Sequence, residues 1–218
     1  MSTAKTKIFL VDDHPLVREW LTNLIEKSPD LTVCGEAEDT VTALSAIGET
    51  KPDLAIVDLS LGSGSGIDLI RSIRSLFADV AIIVLSMHDE RVYAERSIRA
   101  GARGYIMKRE TAKKIIEAIH EVLRGNLYLS KQMTELIVQK VVSDQNEALR
   151  IGQLSDRELE VFKLLGQGYE INEIAKMLDV SVKTVHTYCT RMKEKLKIGT
   201  AAELLREALR WHERLAAG

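Results

Sequence analysis

Five short apolar runs, at residues 8–11, 31–37, 54–58, 80–85 and 103–107, punctuate the first half of the chain. They are continuous rather than alternating and rich in β-branched residues, the pattern of strands buried on both faces. Between them the apolar residues recur at helical spacing, as at Val92, Ile98 and Ala100, then Ile115, Ile116, Ile119, Val122 and Leu123. Strand-helix alternation of this kind predicts an α/β fold: a five-stranded, doubly wound parallel sheet with helices on both sides. Local signals agree. Pro15 suits the first turn of a helix after His14, and Thr111 is placed to cap the helix after the fifth run.

At 218 residues, 45% of them hydrophobic, the chain is long enough for two compact domains, each with its own core. With 3 Pro, 13 Gly, no low-complexity run and no internal repeat, extended disorder and solenoid folds are excluded. Charge is unevenly spread. Residues 1–149 carry 18 basic against 22 acidic side chains, residues 150–218 carry 12 against 10, and the stretch 176–197 carries 6 against 2. The basic stretch is of the kind that meets phosphates. The apolar run after Lys5 and Lys7 is too short for a signal peptide or a membrane span, and Cys34 and Cys189 have no metal-ligand spacing. A reducing, cytoplasmic setting with no membrane contact is expected.

Residues 130–142 read as a further helix, capped by Ser130 and carrying Met133, Leu136, Ile137 and Val141; the polar stretch 143–147 reads as a linker. From Leu154 the pattern is wholly helical. Ser155 with Glu158, and Thr200 with Glu203, match the capping box, while Gly166, Gly168 and Gly199 mark breaks between helices. The expected domains are therefore 1–126, a linker helix and linker over 127–152, and a small all-α four-helix domain over 153–218.

In an open α/β sheet, ligands bind at the carboxyl ends of the strands. Asp12 and Asp13 end the first run, Asp58 the third and Ser86 the fourth, and Lys108 follows the fifth. Three carboxylates, a hydroxyl and an ammonium thus meet at one edge. Crowded carboxylates repel and need protonation or a bound cation. Mg²⁺ suits such a site, being a hard ion held by a few carboxylates, water and a phosphate oxygen. Phosphoryl transfer to Asp58 would then be mostly positioning and charge stabilisation, with Lys108 and Ser86 addressing the phosphoryl oxygens. The glycine-rich stretch 62–66 lacks both the P-loop ending and the GxGxxG placement after the first strand, so it is not read as a nucleotide loop.

The segments Val11-Asp12-Asp13-His14, Val57-Asp58-Leu59, Val84-Leu85-Ser86-Met87-His88 and Gly101-Ala102-Arg103-Gly104-Tyr105-Ile106-Met107-Lys108 resemble the receiver domains of response regulators, a flavodoxin-like fold. The resemblance implies that Asp58 is the phosphoacceptor. It implies that Asp13, Asp58 and the backbone carbonyl of Ser60 bind Mg²⁺, with Asp12 acting mainly through water. It makes Ser86 and Tyr105 the switch pair, Tyr105 turning inward behind Ser86. Two positions depart from the pattern: Gly62 and Arg109 stand where many receivers have Pro. The three glycines of 62–66 predict a permissive loop.

Residues 182–196 read as a helix capped by Ser181, with Val182, Val185, Cys189, Met192 and Leu196 on one stripe at about 100° per residue. Cys189 on that stripe is a packing residue rather than a redox sensor. Opposite lies Thr187, flanked by Lys183, Thr190, Arg191 and Glu194, a slender polar face able to enter a major groove. A preceding helix near 171–178 joins it through the short turn Asp179-Val180, as a helix-turn-helix requires. Leu154-Ser155-Asp156-Arg157-Glu158, Gly166-Gln167-Gly168, Glu173-Ile174-Ala175, Lys183-Thr184-Val185 and Lys195-Leu196 resemble the LuxR-type helix-turn-helix. The whole chain is similar to the NarL/FixJ class. That resemblance implies base contacts from His186, Thr187 and Thr190 and backbone contacts from Lys183, Thr184, Tyr188, Arg191 and Lys195. Glu170 and Ile171 replace the usual Ser/Thr and Asn, which predicts a weakened cap on the preceding helix. The final helix, with Leu204, Leu205, Ala208 and Leu209, is expected to pack on the domain and to offer a remainder for pairing two copies.

The implied function is a transcriptional regulator that takes phosphate from a sensor histidine kinase and binds double-stranded promoter DNA, as a homodimer when phosphorylated. It would catalyse only its own phosphorylation and dephosphorylation. Two alternatives stand beside it. A phosphohydrolase of the haloacid-dehalogenase type would want a second Asp two residues after Asp58, where Ser60 stands. A protein-binding module would need no phosphorylation.

Overall fold

The computed structural model describes residues 5–62, 64–135, 151 and 153–217. The chain divides into two compact units, Met1–Val142 and Ser143–Gly218.

The first unit carries β1 (Thr6–Val11), α1 (Pro15–Ile25), β2 (Leu31–Ala37), α2 (Thr40–Thr50), β3 (Leu54–Val57), β4 (Ser60–Leu61), β5 (Gly64–Ser65), α3 (Gly66–Leu76), β6 (Ala81–Ser86), α4 (Glu90–Ala100), β7 (Gly104–Met107) and α5 (Ala112–Leu123). The main sheet has five parallel strands in the order β2-β1-β3-β6-β7, as the apolar runs predict. Residues of β3 and β7 are buried throughout, so neither face could carry polar side chains. Side chains alternate across the sheet. Ile8, Leu10, Leu54, Ile56, Ile83, Leu85 and Ile106 join Leu21 and Ile25 of α1 and Ile115, Ile119 and Val122 of α5 in one core layer. Each fully buried aliphatic side chain contributes about 1.5–3 kcal/mol relative to exposure.

Register, rather than strand order alone, builds the functional rim. Val11 is level with Val57, and Val57 with Val84, so the residues that follow β1 and β3 emerge side by side. The ladder continues past the strand ends, with Asp58 N–H donating to Val11 O at 2.8 Å and Lys108 N–H to Ser86 O at 2.8 Å. The chain turns to opposite sides of β1 to form β2 and β3, and the crevice opens where this direction reverses.

The glycine-rich stretch differs from expectation. It forms a minimal antiparallel hairpin, Ser60 opposite Ser65 and Leu61 opposite Gly64, and then enters α3. Neither Gly62 nor Gly66 uses a left-handed backbone conformation. Gly66 is required for a different reason: a Cβ there would overlap the Asp58 carbonyl and the Leu59 Cα. Helix α3 is thereby held directly against the strand end that carries Asp58.

Helix starts follow short polar side chains at Asp39, Ser65 and Asp89, each accepting from first-turn amides. Thr111 is a correction. It occupies the cap position of α5, but its hydroxyl makes no capping hydrogen bond. After α5 the chain crosses the outer side of β7, where Tyr128 N–H donates to Arg103 O at 2.9 Å and Tyr105 N–H donates to Tyr128 O at 3.0 Å. Ser130 then caps a helical stretch through Met133 N–H at 3.0 Å and donates to Glu90 at 2.6 Å, with Met133 buried. Helix is described over 131–135; Leu136, Ile137, Val141 and the expected linker 143–147 lie outside the described residues.

The second unit is wholly helical, with α6 (Asp156–Gly166), α7 (Ile171–Met177), α8 (Val182–Leu196) and α9 (Ala201–Ala217). Both expected capping boxes form, at Ser155 with Glu158 and at Thr200 with Glu203. The cap of α7 is weak as expected at Glu170, whose side chain makes no capping hydrogen bond to the first turn, but the Glu173 carboxylate accepts from Glu170 N–H at 2.8 Å. Leu159, Phe162, Ile174, Val185, Met192, Leu196, Leu204 and Ala208 form the core. On α8 the expected stripe holds except at its start: Val182, in the first turn, is exposed and Cys189 is half-buried. Burial pushes the Cys189 thiol up, which suits a packing role.

Candidate functional site

Strand ends deliver the first constellation. Lys108 Nζ lies 2.6 Å from Asp12 Oδ2 and 2.7 Å from Asp58 Oδ2, with side-chain exposures of 10%, 3% and 3%. Burial disfavours the Lys108 charge, but hydrogen bonds and attraction from Asp12 and Asp58 outweigh it and raise its pKa. Asp58 moves the other way. Burial raises its carboxyl, Asp12 adds to the rise, and Lys108 and the Ser60 N–H only partly offset both. The ionised Asp58 is therefore an undercompensated buried anion.

The carboxylate oxygens differ in how they are used. Asp12 is fully engaged: Oδ2 by Lys108, and Oδ1 by His14 N–H at 2.9 Å. Asp13 Oδ1 and Asp58 Oδ1 are buried and have no hydrogen-bond partner. Ligand atoms of Asp12, Asp13, His14 and Asp58 all lie within 4.8 Å of one another. Asp13 Oδ1 at least has the His14 imidazole at 2.5 Å, whereas Asp58 Oδ1 has no such neighbour, and a buried carboxylate oxygen left so is costly unless a cation or electrophile meets it. The donor set is hard oxygen, which fits Mg²⁺.

Ser86 and Tyr105, the expected switch pair, both bond to the backbone of His88. Ser86 is fully buried and its Oγ accepts from His88 N–H at 3.2 Å. Tyr105 is buried, and its hydroxyl donates to His88 O at 2.8 Å. Burial pushes the Tyr105 phenol far up, against a hydrogen bond from Ser86. Tyr105 thus occupies the inward position. Ser60 contributes more than the sequence suggests, since its hydroxyl lies 2.8 Å from His88 Nε2.

Sequence reasoning did not pick out His14, Arg18 or His88. The His14 imidazole lies 2.5 Å from Asp13 Oδ1, and Arg18 Nη1 donates to Asp12 O at 2.6 Å. Helical side chains lean toward the N-terminus, so a basic residue four positions after the first cap was the available signal for Arg18.

Helix α8 presents the second constellation. Lys183, His186, Thr187, Thr190 and Arg191 are exposed and fall within an arc of about 140° at helical spacing. Thr184, Tyr188 and Lys195 lie at the flank and are half-buried. Thr184 is occupied at the cap, 2.8 Å from the Ser181 hydroxyl. Lys195 is bound within its own domain: Nζ lies 2.6 Å from Glu158 Oε2, a carboxylate only 2% exposed. Burial raises the Glu158 carboxyl, but Lys195 and the Ser155 N–H prevail and hold it below the usual carboxylate range.

Comparison with known proteins gives the same two halves. The response regulator receiver domain matches residues 8–120, and the bacterial regulatory proteins of the luxR family match residues 152–208. The oxygen regulatory protein NreC of Staphylococcus carnosus is 36% identical over 212 residues, covering 94% of this chain and 97% of that protein. A LuxR-family two-component response regulator from Aurantimonas sp. SI85-9A1 is 34% identical with a TM-score of 0.60, covering 64% of this chain and 100% of that one. RcsB of Salmonella enterica serovar Typhimurium, bound to promoter rprA with the phosphomimetic BeF3-, is 25% identical with a TM-score of 0.63, covering 93% and 97%.

Two expectations follow from the buried charges. Lys108→Met should cost about 3 kcal/mol in urea unfolding without divalent cations, because it strands two carboxylates. Adding Asp58→Asn should recover part of that loss; a single variant as stable as wild type would contradict the account. For Glu158 the pKa is depressed on folding, so its contribution is present above the ordinary value of 4.5 and is lost as pH falls through the lower folded value. Wild type should exceed Glu158→Gln by roughly 2 kcal/mol at pH 7, the gap closing under acid in parallel denaturation curves.

Proposed function

The chain belongs to the two-component response regulators, with a receiver domain and a LuxR-type DNA-binding domain, and on that footing we propose that Asp58 accepts the phosphoryl group that controls its binding to promoter DNA. The observation that carries the reading is the Lys108 ammonium bridging Asp12 and Asp58 beside the buried Asp58 Oδ1, which accepts no hydrogen bond. No helix among the described residues is long and apolar enough to cross a membrane, and we place the protein in the cytoplasm. The proposed boundaries are 1–126 for the receiver, 127–152 for the linker helix and linker, and 153–218 for the DNA-binding domain.

Asp58 Oδ2 is held by Lys108, so Oδ1 is the attacking atom. It bonds to phosphorus as the bond to a kinase histidine nitrogen breaks, giving an acyl phosphate and a free imidazole. Asp13, Asp58 and the Ser60 carbonyl are the proposed direct ligands of Mg²⁺, Asp58 through Oδ2 once Lys108 has moved from it to a phosphoryl oxygen, and Asp12, which Lys108 and His14 N–H both hold, would act through water. The bound ion supplies charge neutralisation for the carboxylate and the phosphoryl oxygens. Lys108 pairs with a phosphoryl oxygen, and Ser86 offers its hydroxyl to another. Hydrolysis reverses the state: water attacks phosphorus, the acyl-phosphate bond breaks, and phosphate leaves a free carboxylate.

Phosphate shifts a population only by contacting one state better than the other. Ser86 and Tyr105, joined through His88, are the groups placed to register it. In the DNA-binding domain, His186, Thr187 and Thr190 are assigned to base edges and Lys183 and Arg191 to phosphates. Thr184, Tyr188 and Lys195 flank that face, and Lys195 reaches DNA only if it shares its charge with Glu158. Pairing of two phosphorylated chains is supported by the exposed Leu205 and Leu209 on α9. The partners are then a sensor histidine kinase, double-stranded promoter DNA and a second copy.

Asp58→Ala should abolish Mg²⁺-dependent labelling from a small-molecule phosphodonor; undiminished labelling would refute the acceptor assignment. Thr187→Glu should eliminate specific DNA binding in a gel-shift assay and leave receiver phosphorylation intact. Survival of specific binding would mean that another surface reads the bases.

A further inference from the structure

We propose that Arg18 is a positioning residue for the acid pair: by gripping the Asp12–Asp13 peptide, with the Glu36 carboxylate facing its other side, it sets the affinity of the pocket for Mg²⁺. The inference rests on the reading of Asp13 and Asp58 as cation ligands and concerns a residue that touches neither.

Arg18 lies one turn into α1, four residues after the cap at His14. Its side chain runs back over that turn, and Nη1 donates to the Asp12 carbonyl at 2.6 Å. Only 13% of the side chain is exposed, and Nε faces the Glu36 carboxylate of β2 at 3.6 Å without a hydrogen bond. A buried guanidinium loses much hydration, so one carbonyl is a poor return unless its placement matters.

The carbonyl in question belongs to the peptide that joins Asp12 to Asp13. Fixing that plane restrains the backbone torsions on either side, and with them the directions of both carboxylates. Asp12 has independent restraints, from His14 N–H at 2.9 Å and Lys108 at 2.6 Å. Asp13 has less: its one ion-pair contact among the described residues is with the His14 imidazole, 2.5 Å from Oδ1 on a side chain 64% exposed, and that oxygen accepts no hydrogen bond. Its aim therefore depends on that exposed imidazole and on the backbone that Arg18 holds. Groups outside the ligand set that orient ligands commonly change metal affinity by about 10–100-fold. Lysine is only a partial substitute, since an ammonium lacks the planar fork that meets a carbonyl on one side and faces a carboxylate on the other.

The test uses the full chain, with Mg²⁺ binding followed by calorimetry and phosphorylation from acetyl phosphate followed across Mg²⁺ concentrations. Arg18→Met should weaken Mg²⁺ binding about tenfold and shift the half-saturating Mg²⁺ equally, while the rate at saturating Mg²⁺ stays near wild type. Arg18→Lys should fall between. A lowered melting temperature with Mg²⁺ affinity within about twofold of wild type would overturn the proposal, showing Arg18 to be purely structural. Should Arg18→Met fail to fold, Glu36→Gln releases the far end of the guanidinium from a half-exposed site. That variant should weaken binding about threefold, and unchanged affinity would overturn the proposal just as well. Asp13→Asn is the control. If wild type shows no Mg²⁺ binding that this variant removes, the cation pocket itself is refuted, and the role of Arg18 with it.

Discussion

A lysine ammonium held between two buried aspartates ties the ends of three strands together, because Asp12 follows β1, Asp58 follows β3 and Lys108 follows β7. Such a contact exists only if the strands are parallel, in the right order and in the right register. Val11 level with Val57 brings the two acids side by side, and the hydrogen bond from Lys108 N–H to Ser86 O carries the lysine across from the far strand. The apolar layers beneath supply the stability that holds like charges together, and the lysine limits what that proximity costs. Chemistry at Asp58 and the architecture of the sheet are in this sense one problem.

The two domains each bury a carboxylate against a lysine, and the contrast between the pairs is instructive. Glu158 receives Lys195 and the Ser155 N–H, and its carboxyl is held low; it joins α6 to α8 and has no unmet demand. Asp58 receives Lys108 but keeps one oxygen without a donor, and its carboxyl is pushed up. A satisfied ion pair fastens helices. An unsatisfied one leaves a position for a ligand. The direction of the pKa and the buried oxygen left without a donor distinguish them where burial alone does not.

Much of this was legible in the sequence because burial on both sheet faces forces continuous apolar runs, and the residues that end those runs must share a rim. Asp12, Asp13, Asp58, Ser86 and Lys108 could thus be grouped before any contact was known. The 60–65 hairpin escaped because two-residue strands carry no periodicity, and Tyr128 escaped because a single bridge carries none either. Arg18 and His88 act through backbone carbonyls or amides, which any residue supplies, so their partners leave no mark on the sequence. Thr111 and Val182 failed for a shared reason. Position at a helix start fixes the backbone, but whether a hydroxyl turns inward or a first-turn valine finds a neighbour depends on what packs there.

The segment that leaves α5 has a further consequence. By pairing Tyr128 with Arg103 and Tyr105, it covers part of the outer side of β7, the border strand of the sheet, and Met133 and the Ser130–Glu90 hydrogen bond pin the covering segment down. An unprotected border strand is a template for unwanted strand addition. A polypeptide cut immediately after α5 would keep every residue of the acidic pocket yet bare the amide of Tyr105 and the carbonyl of Arg103. The smallest piece with every residue of the acidic pocket is therefore shorter than the smallest piece with a covered border strand, and the difference is the stretch that leads on to the DNA-binding half.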